Sequence, residues 1–288
     1  MNVLITGEKG YIGIKLGQYL SQFEEKYHVS YLSVRTDDWR NCDFSQYHVV
    51  IHTAAIVHLH EEERNKNLYY KVNRDLTIEL ATRAKESGVA QFIFLSTISV
   101  YGIDGQIGVN TVIKNDTPCV PKTLYGKSKL EAEKALTKLE DEDFVISIIR
   151  PPMVYGPKCP GNYSKLSNLI KIMPIFLEIS NSRSMIYIDN LIESIKLILD
   201  EKISGMFHPQ NMEYVTTVKM AELIARYNNK KLKFFRIPAF FLRVLGKENK
   251  ILLKLFGNLV IDKDLSVIRG HNYCVSSFED SIKQTESK

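Results

Sequence analysis

The chain has 288 residues, 44% of them hydrophobic and 25% charged, so it can bury a full core and a disordered chain is excluded. Its 38 basic and 33 acidic residues leave a formal net charge of +5 with no long basic block, which suits anionic small molecules and argues against a nucleic-acid surface. Cys42, Cys119, Cys159 and Cys274 lie far apart without metal-ligand spacing and read as reduced thiols of a cytoplasmic protein.

The N-terminus enters a strand at once, without a signal-type segment, and no apolar run reaches the roughly 20 residues that span a bilayer. The run Val3 to Ile5 ends in Thr6 and is followed by Gly7, Gly10 and Gly13. Gly7 permits a tight turn, Gly10 lets the backbone approach an anion, and Gly13 lets the next helix lie close to the sheet. A pyrophosphate then fits at the helix N-terminus, bordered by Lys9, Tyr11 and Ile12. The spacing is GxxGxxG and not GxGxxG, and such glycines also serve a tightly packed helix start, so the loop needs support from elsewhere.

A first helix is expected from Gly13 to about Phe23, with Ile14, Leu16, Tyr19 and Leu20 available to face a sheet. His28 to Val34 reads as a second strand, ending at Arg35 with no acidic residue at its tip. Arg35 could pair with a 2′-phosphate, which favours NADP(H) over NAD(H), although a solvated loop arginine fits equally well. Tyr47 to Ala55 is a third strand, and Ala54 and Ala55 leave room for a flat cofactor. His58 and His60 follow without a third ligand, so no metal site is expected.

Lys71 to Ser87 is a helix with Leu76, Leu80 and Ala84 on one face, stopped by Gly88. Gln91 to Leu95 is a fourth strand running into STISVYG, and Gly102 to Val120 reads as a loop or lid. Tyr125 to Leu139 is the clearest helix, and Phe144 to Ile149 a fifth strand. This alternation predicts an α/β fold, a Rossmann-like doubly wound parallel sheet with its ligand crevice beyond the strand C-terminal ends. Gly7, Ala54, Thr97 and Pro151 all fall at such ends.

The texture changes after Pro151. Leu166 to Phe176 reads as a helix interrupted near Pro174, Met185 to Ile188 as a short strand, Asp189 as a cap, and Leu191 to Asp200 as a helix returning to the main domain. Phe207 and His208 form a last strand, and Val218 to Tyr227 another helix. Ile237 to Leu259 is apolar and basic at helical spacing, combining Lys247, Lys250 and Lys254 with Phe240, Phe241, Leu252, Leu253, Leu255 and Phe256. Such a stretch packs on its own domain or a partner more often than on a membrane surface. The expected organisation is a dinucleotide-binding domain over 1–155, rejoined by about 187–209, and a smaller, mostly helical C-terminal substrate domain over 156–186 and 210–280. Residues 281–288 read as a frayed tail.

Tyr125 and Lys129 stand four apart in YGKSK, on one helix face. A tyrosine is a poor proton carrier at neutral pH, and a nearby ammonium is expected to lower its pKa. Thr97 could supply a hydroxyl to the same substrate oxygen, completing an arrangement that moves a proton while hydride moves to or from a nicotinamide. Alone the pair is commonplace on a solvated helix; downstream of the glycine loop it reads as chemistry.

These motifs in order resemble the extended short-chain dehydrogenase/reductase family, the NAD-dependent epimerase/dehydratase group that acts on nucleotide sugars. TGEKGYIG resembles its TGxxGxxG loop, STISVYG the segment carrying the serine/threonine role at Thr97, and YGKSK its YxxxK pair. The resemblance implies that Asn73 of KVN orders the active site on the cofactor side, and that RPPMVYGP borders nicotinamide at Pro151. It also implies that Arg183 of RSMIYIDN takes the nucleotide diphosphate, with Ser99, Tyr155 and Asn162 on the sugar side. Dehydratases of the family place an Asp-Glu pair after the catalytic threonine, where this chain has Ile98 and Ser99, so dehydration is not expected.

In detail the chain resembles capsule-pathway enzymes of Gram-positive bacteria. That implies reduction at C4 of UDP-2-acetamido-2,6-dideoxy-4-hexulose by NADPH or NADH, giving the UDP-N-acetyl-fucosamine or quinovosamine product. The alternatives are a UDP-sugar 4-epimerase with tightly bound NAD, and a catalytically silent cofactor-binding assembly protein. The expected partners are a UDP-sugar substrate and a second copy of the chain docked through the helices Lys71 to Ser87 and Tyr125 to Leu139.

Overall fold

Runs such as VVIH and QFIFL are apolar on both sides of the chain, and the fold uses them as strands covered on both faces. The computed structural model describes residues 1–57, 62–236 and 250–287. In chain order its elements are β1 (Asn2–Thr6), α1 (Tyr11–Leu20), β2 (His28–Leu32), β3 (Val49–His52), α2 (Lys66–Tyr70), a π-helical turn (Lys71–Asp75), α3 (Leu76–Glu86) and β4 (Gln91–Leu95). A 3-10 turn (Ile98–Tyr101), β5 (Val112–Ile113), α4 (Leu124–Thr137), β6 (Val145–Ile149), β7 (Met153–Tyr155), α5 (Asn162–Ile172), β8 (Ile175–Glu178) and β9 (Met185–Tyr187) follow. The rest are α6 (Ile188–Asp200), β10 (Gly205–Phe207), α7 (Thr217–Tyr227), β11 (Lys233–Arg236), α8 (Lys250–Phe256), β12 (Val260–Ile261) and α9 (Phe278–Glu286).

Six parallel strands form the main sheet in the order β10-β6-β4-β3-β1-β2. This is the expected Rossmann-like architecture. Alternate residues of the strands feed two cores: Val3, Ile5, Ile51 and Ile93 pack with Leu16 and Leu20 of α1 and with α6, while Leu4, Val50, Phe92 and Phe94 pack with Leu80 and Ala84 of α3 and Ala132 and Leu136 of α4. The chain leaves β1 for β2 on one side and comes back to β3 on the other, so the strand order reverses between β1 and β3. Thr6 is level with both Leu32 and His52, which sets the ends of β1, β2 and β3 around one crevice.

Several expected elements change. Ile175–Glu178 is a strand paired with β11, because Pro174 ends α5 and the apolar residues then alternate, Phe176 buried and Ile175 exposed. Asp189 lies inside the first turn of α6; Tyr187 holds the cap position and no side chain caps the helix. The loop over 102–120 is tied down: β5 pairs with β12, and Ile107 and Ile113 are buried.

Residues 281–287 are no frayed tail. Ser277 caps α9, Phe278 and Ile282 enter the core one turn apart, and Glu286 accepts hydrogen bonds from Tyr163 Oη (2.8 Å) and Ser167 Oγ (2.8 Å). In the described part of the basic amphipathic stretch, Leu252, Leu253 and Leu255 pack on the main core and Phe256 is buried, so these residues serve their own lobe. Phe240, Phe241, Lys247 and the His58 and His60 pair lie outside the described residues. Among the described residues no helix is long and apolar enough to cross a membrane, no group of side chains could hold a metal ion, and all four cysteines are unpaired.

Candidate active site

The glycine loop leaves β1 at the crevice. Gly7 has φ +90°, and a Cβ there would lie 2.8 Å from Ala54 N. A Cβ on Gly13 would lie 2.5 Å from Gly7 O, so any side chain would push α1 off the loop. Gly10 occupies the cap position of α1 with no side chain satisfying the first amides, and no acidic residue stands in the first turn. Lys9 is exposed, Tyr11 and Ile12 are half-buried behind the loop, and Ala54 and Ala55 stay partly open opposite it. The cradle is lined by backbone and small residues where a pyrophosphate needs close approach, and the residues present therefore fit a dinucleotide.

A neutral hydrogen-bonded chain lies under this loop. Thr6 Oγ1 meets His52 Nδ1 at 2.6 Å, His52 Nε2 meets Thr77 Oγ1 at 3.0 Å, and Thr77 donates to the carbonyl of Asn73 at 3.0 Å. Thr77 has given its proton to that carbonyl, so His52 donates from Nε2 and accepts from Thr6 at Nδ1. Burial, and secondarily Lys129, hold the imidazole neutral with a pKa of about 3. Asn73 sits in the π-helical turn and is fully buried. It accepts from Ile56 N (2.8 Å) and donates to Ile56 O (3.0 Å) and Ser128 Oγ (3.2 Å). Its amide thus joins the loop after β3 to α4.

Thr97, Tyr125 and Lys129, the residues expected to handle a proton, come together beside that chain. Thr97 caps the 3-10 turn, accepting from Ser99 N and donating to Ser99 Oγ, each at 3.1 Å. Its hydroxyl also shares a hydrogen bond with Tyr125, at the start of α4. Gly126 permits this approach, since a Cβ there would stand 2.6 Å from Ser99 O. One turn along α4, Lys129 is buried, donating to Leu95 O at 2.8 Å with its ammonium 4.3 Å from the centre of the Phe94 ring.

Sequence reasoning expected the ammonium to lower the Tyr125 pKa; the structure reverses this. Burial raises the Tyr125 pKa well above its ordinary value, outweighing the Thr97 bond, and burial pulls Lys129 down to about 7. Pro151 is buried at the end of β6, and its carbonyl accepts from Ile98 N at 3.2 Å.

The other assigned residues part company. Tyr155 is fully buried, stacked on Tyr163 at 5.3 Å, with its hydroxyl shared between Ser281 (2.6 Å) and Asn211 (2.9 Å), so it is core and does not line a sugar site. Asn162 is exposed at the start of α5. Arg183 bridges the backbone of Val215 and Leu259 and donates to Gly257 O at 3.2 Å, and burial lowers its pKa. Arg35 is exposed, followed by Asp37 and Asp38, and gives no ground for choosing NADP over NAD.

Sequence reasoning missed the floor beneath the site. Glu133 and Arg150 form a buried ion pair, with Arg150 donating to Glu133 Oε1 (3.0 Å) and Oε2 (2.5 Å) and to Tyr101 Oη (2.8 Å). Tyr101 reaches His208 Nε2 at 2.8 Å, and burial, with Arg150, lowers the His208 pKa to about 4. The one available signal was Glu133 standing four residues beyond Lys129, in phase with Tyr125.

A parallel sheet with a glycine cradle at its switch point and a threonine, tyrosine and lysine at the next strand end defines a dinucleotide-dependent oxidoreductase fold and site. The chain belongs to the NAD dependent epimerase/dehydratase family, whose profile matches residues 3–208. It is 31% identical over 288 aligned positions to the UDP-glucose 4-epimerase of Vibrio cholerae, covering 91% of this chain and 87% of that one. Its fold is similar to UDP-glucuronic acid 4-epimerase from Bacillus cereus in complex with NAD, with a TM-score of 0.76, 21% identity, and 99% and 96% of the two chains covered. It is also similar to dTDP-4-dehydrorhamnose reductase from Bacillus anthracis in complex with NADP, at a TM-score of 0.64, 20% identity, and coverage of 84% and 85%. The protein is an NAD(P)-dependent enzyme of this family.

Proposed function

We propose that the protein is a UDP-sugar 4-epimerase that keeps its NAD through the cycle, oxidising the C4 hydroxyl and returning the hydride to either face. What carries the chemistry is the buried Thr97, Tyr125 and Lys129 arrangement beside the glycine cradle. The full-length relationship to a UDP-glucose 4-epimerase supports epimerisation ahead of net reduction. When bound, the dinucleotide supplies a hydride acceptor and donor. Gly7, Gly10, Gly13, Ala54 and Ala55 would hold it.

Tyr125 Oη carries the proton exchanged with the C4 oxygen, and Thr97 Oγ1 orients that oxygen by a second hydrogen bond. Burial favours the phenol form, which has a proton to give but holds it tightly; releasing that proton, or taking one from the sugar as phenolate, is favoured by a positive charge in the site, which Lys129 supplies one helix turn along when protonated. Ile98 and Ser99 offer no carboxylate for expelling water, so the sugar keeps its hydroxyls.

A second reading is 4-ketoreduction of UDP-2-acetamido-2,6-dideoxy-4-hexulose, a reaction class with which the fold likeness to dTDP-4-dehydrorhamnose reductase agrees. Mass spectrometry of the native protein, followed by incubation with UDP-glucose, UDP-galactose and their N-acetyl forms, separates the two. The epimerase carries NAD and interconverts its epimers without added reductant. Turnover only on adding reduced cofactor and the 4-keto sugar overturns it in favour of the reductase. No turnover in either assay leaves the silent assembly protein. Docking of two copies through α3 and α4 is a further proposal, tested by sedimentation equilibrium.

A further inference from the structure

The buried carboxylate of Glu133 touches more of the site's framework than any sequence motif does. Oε1 accepts from Ser96 Oγ and from Arg150 Nε (3.0 Å), and Oε2 accepts from Arg150 Nη2 (2.5 Å). Ser96 is the residue before Thr97, and Arg150 the residue before Pro151. Glu133 itself stands on α4 one turn beyond Lys129 and two beyond Tyr125. One side chain therefore joins the helix that carries the tyrosine and lysine to both strand ends that face them. We propose that Glu133, clamped by Arg150, is a positioning residue of this active site, acting on Tyr125, Lys129 and Thr97 through the elements it joins and through its charge. The inference rests on the reading of those three as the proton-handling set.

The geometry excludes a merely apolar role. Glu133 is 3% exposed and Arg150 5%, so both charges were taken out of water, which a packed pair of aliphatic side chains would have avoided. The titratable groups that act on Lys129 are His52 from β3, held neutral, and Glu133 from its own helix. Glu133 is the one of these whose charge favours the ammonium, and it opposes the burial that pulls Lys129 down to about 7. Arg150 in turn is fixed by Tyr101, whose own proton goes to His208 Nε2. The clamp thus reaches the end of β10, the last strand of the sheet.

The test labels the lysine side-chain Cε carbons with 13C and follows Lys129 by NMR from pH 5 to 10, in wild type and in Glu133→Gln, with epimerase or ketoreductase rates across the same range. Lys129 should titrate near neutrality in the wild type, and its midpoint should fall by about one pH unit in Glu133→Gln. The alkaline fall in kcat should move down by the same amount, leaving kcat at pH 8 lowered about tenfold while KM changes less than about twofold. Glu133→Asp keeps the charge and should restore the midpoint. If Glu133→Gln does not fold, the paired change Glu133→Gln with Arg150→Gln leaves no lone buried charge and carries the same measurement.

An unchanged Lys129 midpoint and an unchanged pH profile overturn the proposal. An unchanged midpoint with a uniform loss of kcat at every pH overturns the electrostatic part and keeps the clamp. Retained activity in Tyr125→Phe overturns the underlying reading of the site; the NMR midpoint still reports on Glu133.

Discussion

Two buried polar assemblies flank Lys129, and they are built on different principles. On the cofactor side, Thr6, His52, Thr77 and Asn73 form a chain of hydroxyls, an imidazole and a carbonyl that carries no charge. On the other side, Ser96, Glu133, Arg150, Tyr101 and His208 surround an ion pair. A neutral chain orients its members at small cost, because each loses only an ordinary exchange of hydrogen bonds with water. An ion pair costs desolvation and returns a field. The glycine loop thus rests on a neutral base, and the helix of Tyr125 and Lys129 on a charged one.

Breaking the charged side has the largest expected effect. Arg150→Met leaves Glu133 buried and alone, and should cost about 3–5 kcal/mol of stability in urea unfolding. Replacing both, as Glu133→Leu with Arg150→Met, should recover most of that stability while leaving the pH profile of activity displaced. Recovery of both would show that the pair only fills space.

Acid tests the two sides together. His52 and His208 are held by burial at about 3 and about 4, below the 6.5 of a free imidazole, so between these values the unfolded chain binds protons that the folded chain refuses. Stability should be constant above about pH 7 as far as these two groups are concerned, and fall below it by about 1.4 kcal/mol per pH unit for each histidine. The His208 contribution ends near pH 4 and that of His52 near pH 3. His52→Asn, followed by urea unfolding from pH 7 to 4, should flatten the slope by about half.

Thr77→Val cuts the neutral chain at its middle, stranding the His52 Nε2 proton, and should cost about 1–3 kcal/mol with no displacement of the pH profile. The smallest effect on stability is expected at the loop itself. Gly13→Ala puts a carbon 2.5 Å from a backbone oxygen; the loop should shift and dinucleotide affinity, read by calorimetry, should drop about tenfold or more while the sheet stays folded.

The contrast also marks where sequence was readable. Gly7 to Gly13, Tyr125 with Lys129, and the alternating strands are patterns within a dozen residues, and local geometry alone gives them meaning. Glu133 and Arg150 meet across 17 positions and Tyr101 and His208 across 107, so no spacing rule joins them. The Tyr125 pKa went the opposite way from expectation because spacing reports the distance between a tyrosine and a lysine but not how much protein covers them. Tyr155 was given to the sugar from its place in a motif, while its surroundings, Tyr163, Asn211 and Ser281, come from three later segments. The polar end of the chain hid a legible stripe in Phe278, Ile282 and Glu286, four apart, which reads as a helix once Glu286 is allowed to be inside.

That last helix has a consequence for the order of events at the ribosome. Strands β1 to β4 and β6 emerge in sequence, but α6 packs on the same core as α1 and β10 closes the sheet, so the support of the glycine cradle runs to Phe207. The C-terminal lobe waits for Glu286, the carboxylate on which Tyr163, Ser167, Asn228 and Lys171 converge. At 5–20 residues per second, the roughly 80 residues between Phe207 and Glu286 take about 4–16 s to make. Throughout that interval the sheet is whole while the lobe beside it is still unfastened.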